Sequence, residues 1–260
     1  MNNLTGKRVI ITRPRAQAAA FLERLTALGA VPVVFPTIEI SALEDTNLLD
    51  QSIANLNTYH WVIFTSVNGV SAFWQRLDAL GKGNDVFTGI QIAAIGPATA
   101  HALVEKGVKP NFAPDEHVAE AILPGMGDVR GLRVLLPRAE IARKALVETL
   151  QNQGAFPEEI AVYRTLPAHP DVQALSELEK GVDVATFTSS STVQNFFNLL
   201  GGRALDLLKE AVIACIGPIT AETARELGLA VDIVAEDYTV DGLIEALLNH
   251  NPKNSARKIL

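Results

Sequence analysis

Residues 6–32 read GKRVIITRPRAQAAAFLERLTALGAVP, and residues 131–157 read GLRVLLPRAEIARKALVETLQNQGAFP. The two stretches agree at 10 of 27 positions. Each is a short apolar run, a turn and an amphipathic stretch. Ala18, Phe21, Leu22, Leu25 and Leu28 share one helical face in the first, as do Ala145, Leu146, Thr149 and Leu150 in the second. Further along, WVIFTSVNGVSAFWQRL (61–77) matches VATFTSSSTVQNFFNLL (184–200). IAAIGPATAHALVEKG (92–107) matches IACIGPITAETARELG (213–228) at 9 of 16 positions. A weaker fourth pair joins a helix starting near Val118 to one near Val240. The offsets are 125, 123 and 121 to 122, in one order, which marks an internal duplication.

The runs RVIIT, VIFT, QIAAI, RVLLP, VATFT and AVIACI lack polar alternation, as strands buried on both faces of a parallel sheet do. Gly29, Gly107, Gly154 and Gly228 stand where helices end. Repeated strand–helix units at this spacing predict an α/β fold with doubly wound parallel sheets. The simplest division is into two consecutive domains parted near Gly125 to Gly131. Periodicity allows equally an exchange, in which the first βαβ block of each copy completes the sheet of the other. FPTIEISA (35–42) and VYRTLPAHP (162–170) are extended, Pro-flanked segments able to cross between domains. The polar stretch from His250 to Leu260 is expected to fray.

With 260 residues, 48% hydrophobic and one cysteine, the chain needs no disulfide staple, and a reducing cytoplasm is the expected setting. No apolar run approaches the ~20 residues of a membrane helix, and MNNLTGKRVIITRP has no signal-peptide core. A net charge of -7 speaks against nucleic-acid binding. Taken alone, it also speaks against a polyanionic substrate. Cofactor motifs with fixed spacing are missing: there is no G-x-G-x-x-G, Walker loop, C-x-x-C, H-E-x-x-H or G-x-S-x-G. His60, His101, His117, His169 and His250 show no i, i+4 pairing, so neither a metal nor a cofactor is expected. Cys215 replaces Ala94 of the other copy within an apolar strand and reads as a core residue.

In open α/β sheets ligands bind beyond the carboxyl ends of the strands. Six junctions lie there: Thr12-Arg13-Pro14, Thr65-Ser66-Val67-Asn68, Gly96-Pro97-Ala98-Thr99, Pro137-Arg138, Thr188-Ser189-Ser190-Ser191 and Gly217-Pro218-Ile219-Thr220. Hydroxyls, glycines and N–H groups at helix starts favour anions. The same Ser and Thr residues also serve as N-caps. Six such junctions, with Ser-Ser-Ser and a repeated G-P-x-T-A, exceed what capping requires. Arg13 and Arg138 are expected at helix starts, where the dipole disfavours a cation by ~0.3–1 kcal/mol; an anion between them explains both, and so does snorkelling to water. Tyr163, in the second connector segment, could donate a hydrogen bond to a departing oxygen, or simply be an amphipathic connector residue packing on either domain. Trp61, Phe73, Trp74, Phe196 and Phe197 fit a core, and His60 a surface.

On VIITRP, the two FTS strand ends, the two IGPxTA turns, LLPRAEIARKAL and AVYRT, the chain resembles the uroporphyrinogen-III synthase family from Gly6 to about Leu248. The resemblance implies two flavodoxin-like domains joined by a two-stranded connector, with an active site in the cleft between them. It favours the exchanged division: residues 1–37 with 167–260, and residues 38–166, with connectors near 35–42 and 162–170. The implied activity is cofactor-free cyclisation of hydroxymethylbilane to uroporphyrinogen III, with loss of water and inversion of the terminal pyrrole. The substrate carries eight carboxylates and expels its own hydroxyl to give an azafulvene, and a spiro intermediate lets the last ring turn over. Tyr163 is then the candidate catalytic residue. Arg13, Thr65, Ser66, Asn68, Gly96, Thr99, Arg138, Ser189, Ser190, Ser191, Gly217 and Thr220 are the candidates for substrate binding. The expected partner is this linear tetrapyrrole, with a monomeric chain in transient contact with the enzyme that supplies it. A non-enzymatic module that binds a small anion in its cleft fits the fold equally well. A pair of receiver-like domains does not, because the strand ends lack clustered acids.

Overall fold

Val9, Ile10 and Ile11 are fully buried, so strand β1 (Arg8–Ile11) is covered on both faces. The computed structural model describes residues 4–114 and 122–250. The helix expected near Val118 and the segment beyond His250 lie outside the described residues. The remaining strands are β2 (Val31–Val34), β3 (Ile38–Ser41), β4 (Trp61–Phe64), β5 (Gln91–Ala94), β6 (Arg133–Ala139), β7 (Phe156–Pro167), β8 (Val184–Phe187), β9 (Val212–Cys215) and β10 (Val231–Val234).

The chain divides into two units. Unit one comprises Met1–Glu39 with Leu166–Leu260, and unit two is Ile40–Thr165. In unit one the strand order is β10-β9-β8-β1-β2, with every neighbour parallel. Numbered as they occur within the unit, the strands run 2-1-3-4-5, the flavodoxin-like order, and the order reverses between β1 and β8. Alternation sorts the side chains onto two faces. Ile10, Val33, Ala185 and Phe187 meet the helices Val172–Glu179, Ser190–Leu200 and Pro218–Glu226. Val9, Ile11 and Val184 meet Phe21 and Leu25 of the helix Ala19–Ala27, and Leu243 and Leu247 of the helix Val240–Asn249.

In unit two the order is β3-β7-β6-β4-β5, and β7, β6, β4 and β5 are parallel. Phe64 packs on Phe73 and Trp74 of the helix Val67–Ala79, while Ile63, Val134 and Leu136 face Leu146 and Leu150 of the helix Ala145–Asn152. The duplication is visible in the registers. Ala214 pairs with Ile233, and 121 residues earlier Ala93 forms an isolated parallel bridge to Phe112.

β1 pairs with β8 (Val9 opposite Val184), and β6 pairs with β4 (Trp61 opposite Val134). The first βαβ block of each copy therefore completes the sheet of the other, and a division into consecutive domains near Gly125 to Gly131 does not hold. Gly29 and Gly154, at φ +77° and +80°, turn the chain left-handed between the helix and the second strand of the two equivalent blocks. Cys215 is fully buried in β9, and burial pushes its thiol up to about 12. No helix among the described residues is long and apolar enough to cross a membrane.

Candidate active site

At the carboxyl edge of unit two, β4 ends at Phe64 and the backbone stays extended through Ser66, which caps the next helix. The Gly69 N–H donates to Ser66 Oγ at 3.0 Å, satisfying one of the orphan donors of the first turn. Gly69 packs closely: a Cβ would stand 3.0 Å from the Pro137 carbonyl oxygen and 3.3 Å from Ser66 Oγ, tighter than ordinary contact. The helix start is thereby laid directly on β6, at the point where the strand order of this unit reverses.

Tyr163 belongs to β7, within the sheet. The register slips between Arg138 and Ala139, so that Ala139 faces Tyr163. Such a bulge re-aims the side chains beyond it. The Tyr163 ring packs in the core of unit two and the residue is 8% exposed. Its hydroxyl lies 3.2 Å from Ser66 Oγ. The structure thus joins two of the residues singled out from sequence, 97 positions apart. Thr65 and Gly96 lie just past the ends of β4 and β5, and Asn68 lies in the first turn of the helix Val67–Ala79; all three are half-buried.

Arg138 requires a correction. It lies inside β6, well before the helix that starts at Ala145, so the dipole argument does not apply to it. Its guanidinium donates to Glu159 Oε1 and to the Arg143 carbonyl, both at 2.8 Å, and Lys144 completes the pairing on Glu159. The residue is buried, and its Nε has no partner. A guanidinium already matched to a carboxylate inside a sheet holds the fold and is poorly placed to take an anion from solution.

Arg13 differs. It follows β1 and precedes a 3-10 turn (Arg15–Gln17), with the α-helix starting only at Ala19, so it too stands outside the first helical turn. Among the described residues no carboxylate lies within 4 Å of its guanidinium, which donates to Gln17 Oε1 at 3.5 Å. Its Nε is buried without a partner, and burial pulls the guanidinium below its usual range. Beneath it, Thr12 donates to the Thr186 carbonyl at 2.8 Å and Thr186 to the Ile10 carbonyl at 2.6 Å, locking β1 to β8 at the reversal of unit one.

The Ser-Ser-Ser run is accounted for within the fold, contrary to the expectation that it exceeds local needs. Ser189 forms a capping box with Thr192 and shares a hydrogen bond of 3.0 Å with Ser191. Ser190 donates to the Ile219 carbonyl and accepts from Thr223 at 2.9 Å, tying two helices together. Thr99 and Thr220 are turned into the fold at 4% and 5% exposure. Gly217 is buried under the Tyr238 ring, where a Cβ would stand 3.3 Å from the ring carbon Cγ. Tyr238 and Gly69 were not among the sequence candidates. An aromatic residue just past the end of β10 and a glycine at the third helical position were the available signals.

A family model described as uroporphyrinogen-III synthase HemD matches residues 19–245. A uroporphyrinogen-III synthase of Synechococcus elongatus is 35% identical over 253 residues, covering 94% of this chain and 95% of the relative. One of Chlorobaculum parvum is 31% identical over 251 residues, 93% and 98% of the two chains. A crystal structure of a mutant uroporphyrinogen III synthase from Thermus thermophilus superposes with a TM-score of 0.68 at 22% identity, covering 98% of this chain and all of that one. The Helicobacter pylori structure gives 0.59 at 18% identity over 94% and 99%. At these identities the two structures speak for the fold.

Proposed function

The chain belongs to the uroporphyrinogen-III synthase family, and from that premise we propose how its residues close a linear tetrapyrrole. The enzyme is a lyase of tetrapyrrole biosynthesis that cyclises hydroxymethylbilane with loss of water. The observation that carries this is the family match across residues 19–245, which displaces the reading of a non-enzymatic anion-binding module.

The chemistry demands positioning more than strong acids. An electron-rich pyrrole expels the hydroxyl, and the protein must direct attack to the substituted carbon instead of the free one. In our reading Tyr163 donates to the departing oxygen. Its neutral phenol offers a proton without adding charge beside the cationic azafulvene. The carboxylates are taken by Arg13 and by the strand-end groups Thr65, Asn68 and Gly96, while Ser66 is committed to Gly69 and Tyr163, and Ser189 and Ser191 to each other. Arg138, Ser190, Thr99, Gly217 and Thr220 serve the fold that holds these groups.

The energetics are feasible with Arg13 as the one arginine that meets the substrate. Micromolar binding needs about 8 kcal/mol. Helix starts follow β4, β5, β8, β9 and β10, each worth ~0.3–1 kcal/mol toward an anion. One charge-assisted bond to Arg13 adds ~1.5–3 kcal/mol. Together they approach that figure, and the hydroxyl donors supply the rest. We read the protein as a cytoplasmic monomer that receives its substrate in transient contact with the enzyme that makes it.

The test is direct. Fresh hydroxymethylbilane is supplied and the oxidised products are separated as isomers I and III. Isomer III formed faster than spontaneous closure supports the assignment, and isomer I alone at the spontaneous rate sinks it.

A further inference from the structure

We infer that Ser66 is a positioning residue for Tyr163, fixing which way the hydrogen bond between the two hydroxyls runs. The inference rests on Tyr163 being the donor to the departing oxygen. A serine hydroxyl has one proton and two acceptor lone pairs. The Gly69 N–H occupies one lone pair of Ser66 at 3.0 Å, and the Tyr163 hydroxyl is 3.2 Å away. An oxygen that accepts from the positive end of a helix becomes the better donor, because hydrogen bonds in a chain polarise one another. The Ser66 proton therefore points at the Tyr163 oxygen. The sequence of donors runs from Gly69 N–H to Ser66 O–H to Tyr163 O–H, leaving the phenol proton for the substrate.

The direction matters for the step itself. The carbon–oxygen bond of the hydroxymethyl group breaks and its electron pair stays with oxygen, which takes the Tyr163 proton and leaves as water. The pyrrole nitrogen lone pair fills the vacated carbon, giving the azafulvene cation. The phenolate, held by the Ser66 proton, recovers a proton when the closed macrocycle regains aromaticity. Water and the macrocycle are the sole products. Without Ser66 the phenolate loses the hydrogen bond that holds it.

The duplication supplies an internal control. Ser189, which is 123 residues after Ser66, caps its helix in the same way, but its hydroxyl meets Ser191 at 3.0 Å and no phenol. Loss of a cap alone can thus be separated from loss of the phenol contact.

The experiment follows the three tyrosines of the full chain by carbon-13 NMR at Cζ without substrate, assigning Tyr163 by its absence in Tyr163→Phe. Ser66→Ala is expected to move the Tyr163 Cζ resonance and to lower kcat roughly three- to tenfold with KM unchanged. Ser66→Thr should restore both, and Ser189→Ala should leave the Tyr163 resonance unmoved. Ser66→Asp keeps the cap but cannot donate when ionised, so it should move the resonance as well, and it serves if Ser66→Ala does not fold. In a Tyr163→Phe background, Ser66→Ala should cost nothing more in kcat. An unmoved Tyr163 resonance in Ser66→Ala and Ser66→Asp overturns the inference, whatever the activity does. Wild-type kcat in Tyr163→Phe overturns the donor reading instead, independently of the resonance.

Discussion

The Arg138 guanidinium is held by the Glu159 carboxylate at 2.8 Å inside the sheet of unit two. This ion pair converts a residue that sequence suggested for substrate into one that the fold depends on. Arg138→Ala is expected to cost about 1–3 kcal/mol of stability by leaving buried polar groups unmatched. The loss stays below the roughly 3–5 kcal/mol of a fully stranded charge, since Lys144 still reaches Glu159. Urea unfolding should show a lower midpoint, and an unchanged midpoint with raised KM would return Arg138 to the substrate.

Arg13→Ala should behave in the opposite way. With no carboxylate partner to strand among the described residues, stability should change by less than about 0.5 kcal/mol. KM should rise about ten- to hundredfold, the loss of one charge-assisted bond. The effect should shrink as salt is raised, because screening weakens the wild-type contact as well. A salt-independent KM would count against it.

Ser190→Ala removes the hydroxyl that links Ile219 and Thr223. About 0.5–1.5 kcal/mol of stability should go with it, while KM stays at the wild-type value. Thermal unfolding and steady-state kinetics on one preparation decide between the structural and the substrate role.

The acid limb of stability should involve Asp183 and Asp50. The Arg8 backbone N–H, together with Lys7, holds the Asp183 carboxyl below its usual range, and Arg76 does the same for Asp50. A carboxyl whose pKa is lower folded than unfolded stabilises fully above its unfolded value, near ~3.9. That contribution is lost as pH falls through the folded value. Asp183→Asn and Asp50→Asn should each flatten the fall in stability below about pH 4, measured by denaturant unfolding across pH. A slope identical to wild type would show these carboxyls take no part.

The Cys215 thiol, fully buried and raised to about 12, should be inert toward thiol reagents at neutral pH in the native protein. Reaction should appear only as urea opens unit one, and its rate should track the unfolded fraction. Prompt modification without denaturant would refute this.

Six of the ten strands were legible because their apolar runs are uninterrupted, as in VIIT of β1 and VIFT of β4. Those missed as strands of the sheets are weaker signals for identifiable reasons. β2, β3 and β10 lie at sheet edges and are partly exposed, so polar or Pro residues interrupt them, as in Val31-Pro32 and Val231-Asp232. β7 opens with Phe156-Pro157-Glu158-Glu159, where Glu159 is present to meet Arg138. That partner is set by pairing across β6 and has no local pattern. The Ser66–Tyr163 contact likewise depends on a bulge and on which block completes which sheet. His60 reads as a surface residue and is one, yet its Nδ1 accepts the Arg133 backbone N–H at 3.1 Å, a bond that no sequence spacing announces.

The exchanged blocks also set an order of events during synthesis. Every strand of the unit-two sheet lies within Ile38–Pro167, so that sheet can pair once this segment has emerged from the ribosome. β1 is made first but hydrogen-bonds β8 about 175 residues later, as in Val9 to Val184. The amino-terminal block must therefore wait, with Val9, Ile10 and Ile11 uncovered, until the other half of its sheet arrives. Closing so long a loop is slow, and an unpaired apolar strand invites misassociation in the interval. The vulnerable moment in the life of this protein is thus the interval between the emergence of Ile11 and that of Val184.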